Sequence, residues 1–289
     1  MLVRRNLLLF FRDRASVFFS LLAVFIIIGL YILFLGDLAE QSLRAQLGFD
    51  SDRIGVTMAS VTLAGMVAVT SITSSLGAIG VSISDKDRAA KDFFTSPVSR
   101  VKITFCYVCG SAAVGLIMTV AALVMVLSYI VLKGGGFPDA AGMALLLLTS
   151  ALSVLCGNAI VFFISMFIKT LNAFAALSTV VGTMIGFLMG IYIPIGQLPT
   201  TVQWVIKCFP MTHAASMFRQ VLADGELAIL FNEAPLEALD GFRKSFGVVL
   251  GFGDFVSSFW FSAAVLAATT AVFYAASLAV MKARRGLIT

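Results

Sequence analysis

Charge is what this 289-residue sequence holds least of: Asp, Glu, Lys and Arg together make up 12% of it, while 60% is hydrophobic and the mean hydropathy is +1.03. A soluble domain carries about 25% charged residues, so this composition excludes that class and points to lipid as the solvent. Histidine occurs once, as His213. That excludes metal motifs such as H-E-x-x-H, and a lone histidine just after Pro210 reads as an interfacial or loop residue rather than a ligand. G-x-x-x-x-G-K-[ST] and G-x-S-x-G are also missing, so neither a nucleotide phosphate nor a serine nucleophile finds its usual loop. The chain itself is expected to hold no metal and no cofactor. Of the four cysteines, Cys106 and Cys109 form a C-x-x-C that reads as small apolar residues near a helix end, while Cys156 is expected in mid-membrane and Cys208 on the outer side, so no external pair is expected to form a disulfide within the chain.

Long charge-free runs are what the sequence does have. A helix needs roughly 20 apolar residues to cross a hydrocarbon core of about 30 Å. Six runs qualify: 15–36, 54–84, 103–132, 141–168, 171–193 and 255–281. The expected fold is therefore all-α: a polytopic membrane protein of six transmembrane helices, with 1–289 as a single transmembrane domain. The first run is long enough to span and is expected to be retained rather than cleaved as a signal peptide.

Charge in the connecting segments fixes the expected orientation. The N-terminal segment, the loop after the second run, Lys169 and the C-terminal tail hold thirteen of the 20 basic residues with only four acids, net +9; the other segments hold seven basic residues and eleven acids, net −4. Cytoplasmic loops retain Lys and Arg, so both termini are expected in the cytoplasm. The pI near 9.2 follows from basic residues beside helix ends, where anionic lipid headgroups attract them, and is not read as nucleic-acid binding.

Several segments between the runs carry their own signals. Val3, Leu7, Phe10 and Phe11 follow helical spacing, with Arg4, Arg5, Arg12 and Arg14 mostly elsewhere on the wheel, which predicts an interfacial helix over 1–14. The alternative is a plain basic flank. After the second run, Ser84 and Asp87 have capping-box spacing and Pro97 is placed to stop a helix, predicting a short cytoplasmic helix over 85–97. Its charged residues are Asp85, Asp87, Arg88, Lys91 and Asp92; Phe93 and Phe94 are apolar side chains suited to inserting into a partner, or else to dipping into the bilayer surface.

Gly182, Gly186 and Gly190 recur at four-residue steps in the fifth run, predicting a helix face for close packing, within the chain or with a second copy. Pro194, Pro199 and Pro210 then bracket two apolar pieces too short to span, predicting a re-entrant helical hairpin over 194–222, with 223–254 as an external loop. The hydroxyl-rich second run (Thr57, Ser60, Thr62, Thr70, Ser71, Thr73, Ser74, Ser75) reads either as a polar lining or as side chains bonded to their own helix.

Two self-sufficient mechanisms find little support. Gly251-Phe252-Gly253-Asp254 has the G-x-G-D pattern of intramembrane aspartyl proteases, but that chemistry needs a second membrane-embedded aspartate, and none faces it. Asp254 is read instead as the cap or first-turn acid of the last helix. The spans also lack ionisable residues in their interiors, which counts against proton coupling.

Three stretches taken together, Arg5 to Leu22, Asp85 to Arg100 (DKDRAAKDFFTSPVSR) and Ile193 to Leu222, resemble the ABC-2 type permeases, the membrane subunits of bacterial ABC exporters. The resemblance spans nearly the whole chain. It implies that Asp85 to Phe94 form the coupling helix that docks on a separate ATPase subunit, and that the proline-bracketed hairpin is the outer gate. It implies as partners two ATPase subunits, which bind ATP and Mg, and a second permease copy or paralogue, all within the cytoplasmic membrane. Where the common family form has an acidic residue followed by Gly-Thr, this chain has Arg88, Ala89 and Ala90. Substrates implied are drugs, lipids or peptides; the competing reading is an ATP-independent channel or secondary carrier.

Overall fold

The computed structural model describes residues 2–47, 51, 53–94, 100–168, 170–232 and 236–286, with backbone alone over 85–94, 100–101, 284–286 and at scattered positions of the first three helices. It is all-α, with one two-stranded hairpin. Among the described residues, five helices are long and apolar enough to cross a membrane: 53–84, 102–132, 140–165, 171–188 and 259–283. The chain is a multi-pass membrane protein.

The N-terminal helix α1 (Leu2–Arg12) is amphipathic as its spacing predicts. Phe10 is fully buried, Val3 and Leu7 are half-buried, and Arg4 and Arg12 are exposed. Phe11, expected on the buried side, is exposed, and Asn6 takes its place inward by donating to the Cys106 carbonyl at 3.2 Å. α2 (Arg14–Leu30) passes through a π turn at Tyr31–Leu35 into α3 (Gly36–Leu47). The Gly36 N–H reaches back to the Tyr31 carbonyl, five residues earlier, and a Cβ at Gly36 would lie 2.8 Å from that oxygen, so only glycine fits there.

The core is built around α4 (Arg53–Phe94), which packs against α2, α3, α5 (Arg100–Leu132), α6 (Ala140–Ser165), α7 (Leu171–Leu188) and α9 (Pro210–Leu230). Its 42 residues extend about 63 Å, twice the hydrocarbon thickness. The short cytoplasmic helix expected over 85–97 is, up to Phe94, the continuation of α4 rather than a separate element. No Gly or Pro interrupts residues 81–94, so nothing breaks the helix at Ser84, which lies in mid-helix and does not cap.

The hydroxyls of α4 turn mainly to their own helix. Thr70 donates to the Met66 carbonyl at 3.0 Å, Ser71 to Ala68 at 2.7 Å, Ser74 to Thr70 at 2.6 Å and Ser75 to Ser71 at 2.8 Å, and all four residues are buried. They pack rather than line a polar path.

Residues 223–232 and 236–254, within the segment expected as a loop, are folded. α9 runs eight residues past Leu222, α10 (Leu236–Ser245) follows, and β1 (Gly251–Phe252) pairs with β2 (Phe255–Val256). Phe231, Phe242 and Phe246 join Leu43, Ile54, Met58 and Leu227 in a second apolar core at this end of the bundle. The polar composition hid the helical spacing of Leu239, Phe242 and Phe246. Gly253, at φ +67°, turns the hairpin, so Asp254 sits exposed in that turn and does not cap the last helix, α11 (Phe259–Gly286). Ser258 does, accepting from the Phe261 N–H at 3.2 Å.

Candidate functional site

At the end of the bundle away from Phe94, the short helix α8 (Thr200–Cys208) is followed directly by α9, two helices over the segment expected to form a re-entrant hairpin. Its prolines are starters. Pro194 precedes a single 3-10 turn, Pro199 precedes α8, and Pro210 is the first residue of α9, where a missing N–H costs nothing. The second helix is much longer than the expected piece ending at Leu222: it has 21 residues, most of them buried.

Polar side chains on successive turns of α9 bind carbonyls that the surrounding segments leave open. Thr212 donates to the Leu188 carbonyl at 2.9 Å, where α7 ends, and Ser216 donates to Val248 at 2.7 Å. The His213 Nε2 faces the Lys207 carbonyl at 3.1 Å and must carry the proton, which leaves Nδ1 to accept from the Ser262 hydroxyl at 3.2 Å. Each bond fixes a turn or helix end to α9.

Arg219 is the centre of this arrangement. It is fully buried and meets four backbone carbonyls: Nε donates to Val61 at 3.1 Å, Nη2 to Met189 at 2.9 Å and Gly190 at 3.1 Å, and Nη1 to Gly247 at 3.4 Å. Its partners belong to α4, the turn after α7 and the turn after α10. Among the described residues no carboxylate pairs with it; carbonyl dipoles compensate the charge. Glycines make the room. A Cβ at Gly65 would lie 2.8 Å from Nη2 and one at Gly247 3.0 Å from Nη1.

Two turns further along α9, buried Glu226 accepts from the Gly136 N–H at 2.9 Å and from Arg53 Nη1 at 3.3 Å, and Arg53 also donates to the Gly134 carbonyl at 3.1 Å. This joins the start of α4 to the α5–α6 connection. Asp224 pairs with Arg243 of α10.

Gly182, Gly186 and Gly190 do not form one packed face. α7 ends at Leu188, and Gly190 lies beyond it at φ +61°. Gly186 makes room for the Tyr192 ring, 2.2 Å from where its Cβ would stand, while Gly182 has nothing within 4 Å. The chain's reversal after Leu188, which Gly190 permits, ended the helix before the pattern was complete. Asp85, Asp87, Arg88, Lys91, Asp92, Phe93 and Phe94 lie on the described backbone of α4, but their side chains are outside the described residues, as is Pro97 altogether. Arg4, Arg12 and Arg14 are exposed and Arg5 is half-buried.

Sequence reasoning passed over Arg219, Glu226 and Arg53. The signal was present: Arg219 is the one formally charged residue of Met211 to Leu222, a piece flanked by Pro210 and expected to enter the bilayer, and an arginine there is costly unless it has partners.

The family model for ABC-2 type transporters matches residues 1–223, from α1 through most of α9. No curated protein matches the chain.

Proposed function

The chain belongs to the ABC-2 type transporter family, and from that premise we propose that it is the permease subunit of an ATP-driven exporter. On this reading it has six spans, the first made by Arg14–Leu30 and its continuation through the π turn, and both termini are cytoplasmic. It supplies half of a translocation pathway. Two copies, or one copy and a paralogue, assemble with two ATPase subunits that bind ATP and Mg, and the cargo is a drug, a lipid or a peptide. α7 suits contact with a second copy, since Val180, Met184 and Phe187 are all more than half exposed and Gly182 is open.

The single observation that supports coupling is the continuity of α4. One helix joins the Arg219 carbonyl contact at Val61 to the segment ending in Phe93 and Phe94. A rod of about 63 Å transmits displacement at one end to the other without an intervening hinge. A partner that binds the Phe93 end more tightly in one state would bias the hairpin end, as differential affinity requires.

The test is reconstitution with the partner ATPase and measurement of ATP-driven transport. Phe93→Ala/Phe94→Ala is expected to abolish most ATP-driven transport while leaving the thermal stability of the purified chain unchanged. Full transport down a gradient by the chain alone, or undiminished ATP-driven export by the double variant, would reject this reading in favour of a channel or carrier.

A further inference from the structure

α5 and α11 both pack on α6 but scarcely touch each other. They leave a cleft of about 340 Å³ with α6 as its floor, lined by Phe105, Cys109, Leu155, Phe162, Tyr274 and Leu278 among others. That volume falls within the range of ligand sites.

The Tyr274 and Ser277 hydroxyls along this cleft are already committed. The Tyr274 hydroxyl donates to Asn158 Oδ1 at 3.1 Å, and Asn158 in turn donates to the Ser111 hydroxyl at 2.8 Å. Ser277 donates to the Phe273 carbonyl at 2.8 Å. A polar solute entering here would lose water and gain little beyond the weakly polar Cys109 thiol, whereas a hydrocarbon chain loses nothing. Phe105 and Leu278 on the two walls are each more than half exposed.

The mouth has the opposite character. Lys102 precedes Phe105 by three residues on α5, and Lys282 follows Leu278 by four on α11, so each lysine lies on the helix face of a lining residue. Both are exposed, and neither forms an ion pair among the described residues. Two ammonium groups at the level where a span ends, above an apolar cleft, are complementary to a lipid with an anionic headgroup.

We propose that the α5–α6–α11 cleft binds one anionic phospholipid, with an acyl chain against Phe105, Phe162 and Leu278 and its phosphate between Lys102 and Lys282. The lipid belongs to the leaflet that holds the basic helix ends, the cytoplasmic one on the orientation given above. Headgroup attraction contributes roughly fivefold in affinity per lysine, and the cleft holds the chain.

The experiment is native mass spectrometry of the purified full chain, without any ATPase, titrated with phosphatidylglycerol or phosphatidylcholine in detergent. One phosphatidylglycerol per chain is expected to be retained far better than phosphatidylcholine. Lys102→Gln/Lys282→Gln should weaken that binding by roughly 25-fold, the product of two lysines at roughly fivefold each. Ala112→Trp, which fills the cleft, should abolish it. A phosphatidylglycerol with a photoreactive acyl chain, applied to the unmodified chain, should label 104–112 and 274–281, which keeps the proposal testable if Ala112→Trp does not fold. Equal retention of both lipids, no effect of the lysine changes, or labelling spread evenly over the lipid-facing helices overturns it. So does loss of a dimer rather than of a lipid on Ala112→Trp, which would make the cleft an interface between copies. Because no ATPase is present, failure of the exporter reading leaves these results untouched, and failure here leaves transport coupling untouched.

Discussion

Arg219 and Glu226 stand seven residues apart on one side of α9, and between them they join the Arg53 end of α4, the turns after α7 and α10 and the α5–α6 connection to a single helix. The two use opposite chemistry. Arg219 is compensated by carbonyl dipoles deep in the fold, while Glu226 uses a backbone N–H and a half-exposed arginine nearer the surface.

Arg219→Met removes the donors of four carbonyls at once. Val61 keeps its place in a helix, but the Met189, Gly190 and Gly247 oxygens lie in turns and lose a charge-assisted bond. An unsatisfied buried acceptor costs about 1–3 kcal/mol, and removing the cost of burying the charge offsets part of that sum. A net loss of about 2–4 kcal/mol is expected, read as a lower midpoint of thermal unfolding in detergent. Arg219→Lys, with three donors on one nitrogen, should fall between wild type and Met. Equal stability of the Met variant would show that the cradle does not hold the hairpin.

The Arg53–Glu226 pair is half open to solvent on the arginine side, which limits its worth. A double-mutant cycle with Arg53→Ala and Glu226→Gln is expected to return a coupling of about 1 kcal/mol or less, shrinking in high salt. Glu226→Ala should cost more than Glu226→Gln, because only Gln still accepts from the Gly136 N–H. A coupling of several kcal/mol would mean that the pair acts as if fully buried.

Burial lowers the proton affinity of His213, opposed in part by its bond to the Lys207 carbonyl. A histidine with a folded pKa below its unfolded value of about 6.5 binds fewer protons folded than unfolded. Its contribution to stability is therefore complete above about pH 6.5 and is lost as pH falls below that value. Thermal midpoints measured between pH 7.5 and 5.0 should drop more steeply for wild type than for His213→Gln, whose amide can still donate to the Lys207 carbonyl. Parallel profiles would assign the pH response to other groups.

How far these elements could be foreseen depended on whether a signal was local. The long apolar helices follow from composition, and α1 follows from the spacing of Leu7 and Phe10 against Arg4 and Arg12. Pro199 and Pro210 marked two helix starts for the reason that applies in any chain. What stayed hidden depends on partners distant in sequence. Glu226 reads as a loop residue until Arg53 and Gly136, 173 and 90 residues away, meet it, and Arg219 has no local partner at all. The run of glycines failed for a related reason: a four-residue period assumes a helix, and the turn that ends α7 meets Arg219, distant in sequence, through its Met189 and Gly190 carbonyls.

Two glycine substitutions separate packing inside the chain from packing between chains. At Gly65 a Cβ would stand 2.8 Å from the Arg219 Nη2 and 2.9 Å from Ile191, and the guanidinium cannot retreat without leaving its carbonyls. Gly65→Ala should therefore cost about 1–3 kcal/mol despite its better helix propensity, since overpacking outweighs a gain of about 1 kcal/mol. Gly182 meets nothing within 4 Å, so Gly182→Ala should leave the isolated chain as stable or raise it by up to about 1 kcal/mol. If the open face of α7 meets a second copy, the larger Gly182→Leu change should shift the purified protein from dimer to monomer on size-exclusion chromatography without lowering the monomer's thermal midpoint. An unchanged dimer would place the subunit contact elsewhere. A monomer that unfolds earlier would mean that Gly182 is packed within the chain, against the open space around it.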